Sequence, residues 1–256
     1  MTGELEQPHV RAWATALRVP TSDGVVCFKA AREAFAYEAR VLEVLLPLAP
    51  DILPEVVAAR PEAGWLLLRD AGVRAREQPI DWAPLLRRYA ELQIASIPHA
   101  GALLAAGIVD NRRPAVEPLL GYLTPASAEG LRARLPEVEE RLERLASSPL
   151  PATIEHNDLH DGNVFSRDGR ARILDWGDAA LARPFLTLTV EEDPSARAAY
   201  LEPWEAFAPR ERLLADVANV LALRYLLRAV NWDRVVRLDP VFATEVEERV
   251  ARFLRN

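Results

Sequence analysis

The chain has 256 residues, of which 50% are hydrophobic and 27% are charged, proportions that are ordinary for a soluble globular protein. This length is enough for one large domain or for two modest lobes, each with its own core. The formal net charge is −7 and no tract is rich in lysine or arginine, so DNA and RNA are poor candidate partners.

The cysteine content and the hydropathy pattern favour a reduced compartment. The single cysteine, Cys27, excludes an internal disulfide and lies in an apolar run that is typical of a small buried side chain. The first residues contain no basic stretch followed by an apolar one, which argues against a secretory signal. No apolar run approaches the ~18 residues that a membrane span needs. We therefore expect a cytoplasmic protein with no membrane partner, either a monomer or a homodimer.

Strand patterns dominate the first part of the chain. Ala14–Val19 and Gly24–Ala30 are short apolar-leaning runs on either side of an Asp-Gly turn, which predicts a β-hairpin. Residues 31–48 carry apolar side chains at near-helical spacing and end at two prolines, which predicts a helix. Glu55–Ala59 and Trp65–Arg69 then predict two more strands around a Gly-containing turn.

Helical patterns dominate from about residue 80 onward. The spacing of apolar residues predicts helices near Pro84–Ile97, Leu131–Leu145, Pro209–Trp232 and Pro240–Leu254. A short loop-and-strand stretch from Thr153 to Trp176 interrupts them.

This order of elements predicts an α+β fold with two lobes. The small β-rich N-lobe, with one main helix, is expected over residues 1–70, and the larger, mostly helical C-lobe over residues 71–256. Ligands favour the crevice between two such lobes, so we expect the functional site there.

One polar segment between short apolar runs carries the chemistry. Phosphoryl transfer needs oxygen ligands that hold magnesium against phosphates, and a carboxylate that orients the attacking hydroxyl and accepts its proton. An aspartate followed five residues later by an asparagine, and then by Asp-x-Gly after a strand, supplies both needs. Asp158 is the candidate base, and Asn163 and Asp175 are the candidate metal ligands.

The pattern His156-x-Asp158-x-x-x-x-Asn163, followed by Asp175-Trp176-Gly177, resembles the aminoglycoside phosphotransferase and choline kinase family. That family is a small-molecule branch of the protein-kinase-like fold. The resemblance implies an enzyme that uses ATP and Mg²⁺ to phosphorylate a hydroxyl of a small molecule. The acceptor classes that it covers are aminoglycoside-like compounds, amino alcohols and sugars. It also implies that His156 braces the loop and that His160 lies near the transferred phosphate, as a second catalytic candidate.

The resemblance extends to the N-terminal part. Lys29 ends a predicted strand, as the phosphate-binding lysine does in the family, and Glu38 in the next helix is its expected partner, with Glu33 as a substitute. Leu66-Leu67-Leu68-Arg69-Asp70 resembles the family's strand into the hinge between the lobes, which implies that backbone groups there meet adenine. Arg69 and Ala71 are the nucleotide-binding candidates there.

Two features depart from the family pattern. Residues 8–15, before Lys29, contain no glycine, although close wrapping of phosphates needs glycine-like freedom, and Arg11 and Thr15 could replace part of that cradle. The sequence also predicts one strand fewer for the N-lobe than the family has. The missing glycine loop favours an alternative, a pseudokinase or nucleotide-binding module with weak catalysis.

A third hypothesis is a metallohydrolase. It would use His156, Asp158, His160 and Asp175 on a transition metal, because histidine ligands suit zinc or iron better than magnesium.

Several further residues have two interpretations. Asp178 is a further metal-site acid or the cap of the next segment. Tryptophans line the acceptor cleft or belong to the core, and acidic residues attract a cationic acceptor or form a solvated surface. These residues are Trp82, Trp204 and Trp232, and Glu191, Glu192, Asp193, Glu202 and Glu205.

Overall fold

The computed structural model describes residues 3–189 and 193–256 and has two lobes with a cleft between them. The N-lobe contains an antiparallel sheet and one main helix. Its strands are β1 (Glu6–Val10), β2 (Ala14–Thr21), β3 (Gly24–Ala31), β4 (Val56–Arg60) and β5 (Trp65–Arg69), and its helix is α1 (Glu38–Leu45).

The five strands pair in the order β1-β2-β3-β5-β4. The predicted hairpin of β2 and β3 is confirmed, and its turn contains Gly24 at a φ of 105°, which an L side chain rarely adopts. The hydroxyl of Thr21 donates to the Gly24 carbonyl at 2.7 Å and closes the turn. Because β3 lies between β2 and β5, its last polar residue, Lys29, is held at the centre of the sheet.

Two predictions for the N-lobe were wrong. The missing strand is present as β1, an edge strand that pairs with β2. Its sequence, with Pro8 and several polar residues, lacks the apolar alternation of a strand, and such sequences are tolerated at edges because one side needs no partner. The helix predicted over residues 31–48 is shorter, because β3 continues to Ala31 and a 3-10 turn, Glu33–Phe35, precedes α1.

The C-lobe is mostly helical. The long predicted helices are confirmed, with one extended at its C-terminal end by six residues of the same helical pattern. The helices are α2 (Trp82–Ser96), α3 (Ala100–Ala106), α4 (Pro125–Ala146), α5 (Pro194–Leu201), α6 (Arg210–Leu238) and α7 (Ala243–Arg255).

Two small sheets in the C-lobe carry the polar segment. Their strands are β6 (Val73–Arg74), β7 (Val109–Asp110), β8 (Thr153–Glu155), β9 (Val164–Arg167), β10 (Arg170–Ile173) and β11 (Ala180–Ala182). One sheet has the order β10-β9-β6 and the other β7-β11-β8. The loop between β8 and β9 and the loop after β10 therefore emerge side by side, which brings the two sequence motifs together.

A buried polar network fixes the strand that enters the first of these loops. Glu155, fully buried at the end of β8, accepts hydrogen bonds from Tyr89 at 3.0 Å and from Thr187 at 2.8 Å. The side chain of Gln93 donates to the Ile154 carbonyl at 3.0 Å. Burial raises the pKa of Glu155. Because every partner is itself buried, the network holds the start of the loop rigidly against α2.

Among the described residues, no helix combines the length and the apolar character needed to cross a bilayer.

Candidate functional site

Lys29 connects the two lobes at the centre of the cleft. Its Nζ lies 2.6 Å from Oε2 of Glu38 and 2.5 Å from Oδ1 of Asp175. Burial alone would lower the pKa of Lys29, but the charges of the two carboxylates and their hydrogen bonds outweigh burial and raise it. The ammonium therefore stays charged. Lys29 is also the only lysine in the sequence, where the other basic positions are arginines.

The expected ion pair between Lys29 and Glu38 is present. Glu38 is the first residue of α1, rather than lying in the middle of a helix, and it is 2% exposed. Its Oε1 accepts a hydrogen bond from the backbone amide of Trp176 at 3.0 Å. Glu33, the substitute partner, is exposed in the preceding 3-10 turn. Only Glu38 of the two lies against the cleft.

Asp158 and Asn163 face each other across the loop between β8 and β9. The Asn163 side-chain amide donates to the backbone carbonyl of Asp158 at 2.9 Å and to its Oδ2 at 3.1 Å. The backbone amide of Asn163 donates to the His160 carbonyl at 2.9 Å, which closes the turn predicted at Asp161-Gly162. The Asn163 amide nitrogen is thus engaged, and its carbonyl oxygen is the atom that can accept from or ligate another group.

His156 braces this loop from below. It is fully buried, one ring nitrogen, Nε2, donates to the Leu174 carbonyl at 2.9 Å, and the other accepts from the backbone amide of Asp158 at 3.3 Å. Burial lowers the pKa of His156, so the ring is neutral. With both nitrogens engaged, His156 is unsuited to bind a metal. In the part of the chain that the structure describes, no group of three or more His, Cys, Asp and Glu side chains is placed to hold a metal ion.

His160 lies beside the candidate base. Its Nε2 is 3.4 Å from Oδ2 of Asp158, and its Nδ1 accepts from the Gly162 amide at 2.9 Å. The hydrogen bond with Asp158 raises the pKa of His160 against the opposing effect of burial. Arg76, which the sequence did not single out, lies 3.3 Å from the same ring and 3.0 Å from Asp161. This places a guanidinium group beside the loop between β8 and β9.

Arg69 and Ala71 line the hinge side of the cleft. The Arg69 guanidinium pairs with Glu55 at 2.6 Å, and the backbone of Ala71 is largely buried. Gly72, with a φ of 95°, turns the chain into the C-lobe, and a Cβ there would lie 2.1 Å from the backbone oxygen of Ser166. Only glycine therefore permits this close approach of the hinge to β9.

The tip between β1 and β2 covers the cleft without any glycine. Arg11 and Thr15 line the cleft, as expected for groups that replace part of a phosphate cradle. Trp13, at the tip, packs edge-on against Phe242 at 5.3 Å and against Trp232 at 6.1 Å between ring centroids. Since both partners belong to the C-lobe, this tip is anchored across the cleft by aromatic contacts rather than left mobile.

Two arginines of α6 complete the site, and the sequence analysis missed both. Arg228 lies 3.5 Å from Oδ1 of Asp158. Arg234 donates short hydrogen bonds to Asp178 and to the hydroxyl of Tyr37, so Asp178 is the partner of an arginine rather than a helix cap. Burial, only partly offset by Arg234, raises the pKa of Asp178 to about 6. A periodicity of three to four among the polar residues of an otherwise apolar helix is the signal that would have indicated this face.

Of the remaining candidate residues, only some line the cleft. Trp232 lines the cleft, whereas Trp204 is fully buried in the core and Trp82 is outside the cleft lining. Glu202 and Glu205 pair with arginines at 2.5 Å and 2.6 Å, which fits a solvated acidic surface. Asp193 caps α5, and Glu191 and Glu192 lie outside the described residues. Cys27 is half-buried and lines the cleft instead of lying within the core.

The model of the phosphotransferase enzyme family matches residues 15–214, which is well over half of the chain. Among curated proteins, none matches the sequence significantly.

Solved structures share the fold. A choline/ethanolamine kinase family protein from Mesorhizobium loti is 19% identical with a TM-score of 0.66, over 98% of this chain and 87% of that one. The macrolide 2'-phosphotransferase MphH from Brachybacterium faecium is 20% identical with a TM-score of 0.64, over 97% and 91%. A thermostable mutant of the aminoglycoside phosphotransferase APH(4)-Ia, in ternary complex with AMP-PNP and hygromycin B, is 15% identical with a TM-score of 0.62, over 98% and 93%. The predicted bilobal, protein-kinase-like fold is thereby confirmed.

Proposed function

The chain belongs to the phosphotransferase enzyme family, and we propose that it transfers the γ-phosphate of ATP, with Mg²⁺, to a hydroxyl of a small molecule. The observation that carries this proposal is the convergence of four side chains from both lobes in one cleft of about 910 Å³. These are Lys29, Asp158, Asn163 and Asp175. The complex of a related fold with an ATP analogue supports ATP as the phosphate source.

The donor set fits magnesium better than a transition metal. Mg²⁺ in kinases is held by one or two carboxylates and by the phosphates of its substrate, so a cluster of three protein ligands is not required. Asp175 supplies a carboxylate that is 51% exposed, and Asn163 supplies an amide oxygen whose nitrogen is already bound to Asp158. These two residues would hold the ion, which would neutralise charge on the phosphates.

The protein side chains divide the remaining work. Asp158 orients the acceptor hydroxyl and takes its proton as the oxygen–phosphorus bond forms and the bond to the bridging oxygen of ADP breaks. Lys29 binds the phosphates nearer the adenosine, because Glu38 and Asp175 keep it charged and aimed into the cleft. His160 and Arg76 lie where they can stabilise charge on the transferred group. Arg69 and Ala71, at the hinge, line the end of the cleft where adenine would bind.

The alternative is a nucleotide-binding module with weak catalysis. The tip between β1 and β2 has no glycine, and its backbone cannot wrap phosphates as closely as a glycine-rich loop does. The complete set of polar groups around Asp158 argues for turnover, because binding alone does not need a base.

Thermal denaturation of the purified protein with millimolar ATP and Mg²⁺ tests the proposal. Saturating nucleotide should raise the melting temperature of the wild type by about 5 °C or more. Lys29→Ala and Asp175→Asn should each reduce that shift. Asp168→Asn, a matched change in the exposed turn between β9 and β10, should leave it unchanged. A wild type that does not respond to nucleotide would contradict the proposal.

A further inference from the structure

The end of the cleft opposite the hinge is formed by α6 and α7. Within the described chain, the residues that these two helices contribute to the cleft include two arginines and no carboxylate. They are Arg228, Asn231, Trp232, Val235 and Arg249. Arg228 is paired with Asp158 and Arg249 with Glu245, so guanidinium groups are the charged groups that these two helices contribute to the cleft, although the protein as a whole has a net charge of −7. Asp158 lies 3.5 Å from Arg228 and 3.1 Å from the Asn163 side chain, so an acceptor hydroxyl that reaches Asp158 lies close to α6.

Arg228 faces the base directly. Its guanidinium is 3.5 Å from Oδ1 of Asp158, and its side chain is only 21% exposed. When a hydroxyl of the acceptor reaches Asp158, the neighbouring substituents of the acceptor lie next to the Arg228 guanidinium. Because charge–charge energies increase as water is excluded, a positive group on the acceptor would be repelled and a negative group attracted.

The aromatic surface at the same end is already covered by a cation. Trp232 has the ring face that an ammonium group would seek, but the guanidinium of Arg249 lies over it, 4.8 Å from the ring centroid. Trp13 and Phe242 pack against the same ring at 6.1 Å and 5.8 Å. A cationic acceptor would have to displace Arg249 to use this surface.

Asn157 adds a hydrogen-bond acceptor to this end. It is 5% exposed, its amide nitrogen donates to the Asp178 carbonyl at 3.0 Å, and its Oδ1 has no partner among the described residues. A buried oxygen without a partner is unfavourable, so a donor from the ligand fits there. A second hydroxyl of the acceptor supplies such a donor.

We propose that the acceptor is a polyhydroxy acid, whose carboxylate binds Arg228 while one of its hydroxyls reaches Asp158. The inference rests on the proposed kinase function and narrows its acceptor class away from the amino sugars and amino alcohols that the family resemblance covers. A guanidinium binds a planar carboxylate through two parallel hydrogen bonds. In doing so Arg228 leaves the carboxylate of Asp158, which can then accept the hydroxyl proton. Arg228 thus selects the acceptor and frees the base in one movement.

Related acceptors that carry a negative, a neutral or a positive group test this inference. The six-carbon series is glucuronate, glucose and glucosamine, which carry a negative, a neutral and a positive group beside similar hydroxyls. The three-carbon series, in the same order of charge, is glycerate, glycerol and 2-amino-1,3-propanediol. With ATP and Mg²⁺, kcat/KM is measured for each from ADP release, and the phosphorylated product is identified by mass spectrometry. We expect at least one acid to exceed its neutral counterpart by about ten- to a hundredfold, and the amines to be the poorest acceptors.

Variants of Arg228 separate recognition from a structural effect. Arg228→Gln should lower kcat/KM for the acid by more than for the neutral acceptor and so reduce the ratio between them, Arg228→Lys should retain part of the preference, and Arg228→Glu should shift it toward the amine. Arg237→Gln, on the exposed side of the same helix, should change none of these values.

Three results would overturn the inference. The first is that no acid has a higher kcat/KM than its neutral counterpart. The second is that Arg228→Gln lowers kcat/KM equally for all acceptors. The third is that the protein binds ATP with Mg²⁺ but phosphorylates none of the acids. A protein whose melting temperature does not respond to ATP and Mg²⁺ overturns the proposed function, and the inference with it.

Discussion

Oε1 of Glu38 accepts a hydrogen bond from the backbone amide of Trp176 at 3.0 Å, so the first residue of α1 binds the segment that begins with Asp175. The preceding residue does the same, since the hydroxyl of Tyr37 donates to the Gly177 carbonyl at 2.7 Å. The other oxygen of Glu38 binds Lys29 at 2.6 Å. The N-lobe helix, the lysine and the candidate metal ligand are thus held as one unit across the cleft.

The reactivity of Lys29 should report on this unit. Glu38→Gln removes one of the two charges that keep the pKa of Lys29 high, so its neutral, reactive form should increase, about tenfold for each unit by which the pKa falls. Because the sequence has one lysine, acetylation followed by mass spectrometry at Lys29 measures this rate without interference from other lysine side chains. Glu43→Gln, an exposed change on the same helix, is the control. Equal acetylation rates in Glu38→Gln and the wild type would show that the pair does not set the charge of Lys29.

Asp158→Asn should separate catalysis from binding. Loss of a general base typically lowers kcat by about 10²- to 10⁴-fold, whereas the side chains proposed to hold the nucleotide and its metal ion are Lys29, Asn163 and Asp175. We therefore expect turnover of ATP with an acceptor to collapse, while the nucleotide-induced rise in melting temperature persists. Unchanged turnover in the variant would favour the nucleotide-binding module over the kinase.

Stability should depend on pH through Asp178. Its pKa is about 6 in the folded protein, against about 3.9 for an aspartate in an unfolded chain. Between these values the folded state holds a proton that the unfolded state has lost, so this group stabilises the fold increasingly as the pH falls below 6 and loses that effect as the pH rises. The free energy of unfolding of the wild type, relative to Asp178→Asn, should be greater at pH 5 than at pH 7.5 in urea titrations. A constant or smaller difference at pH 5 would contradict the raised pKa.

The aromatic contact across the cleft should support nucleotide binding. Trp13→Ala removes the contacts with Trp232 and Phe242, which hold the tip between β1 and β2 against the C-lobe. We expect the KM for ATP to rise about tenfold, with a loss of about 1–3 kcal/mol in the free energy of unfolding. Trp65→Ala is the matched control, because Trp65 packs against Phe28 within the N-lobe. A KM that changes equally in both variants would assign the effect to general stability.

Local patterns predicted most of the secondary structure. The hairpin of β2 and β3, the strand Trp65–Arg69 and the long C-lobe helices follow from turn residues and apolar spacing, which act over a few neighbouring positions. The edge strand β1 escaped prediction, because the backbone of β2 rather than its own side chains specifies its pairing. Helix α1 was predicted too long for a similar reason, since pairing within the sheet extends β3 to Ala31.

The spacing of Asp158, Asn163 and Asp175 was sufficient to point to phosphoryl-transfer chemistry, because all three lie on two loops joined by one short hairpin. The spacing of residues in the sequence did not predict which charged side chains surround that site. Arg228 lies 70 positions after Asp158 and Arg234 lies 56 after Asp178. The period of α6 identifies which residues share a face, but not which loop packs against that face. Only the packing of α6 across the cleft brings these guanidinium groups to the carboxylates.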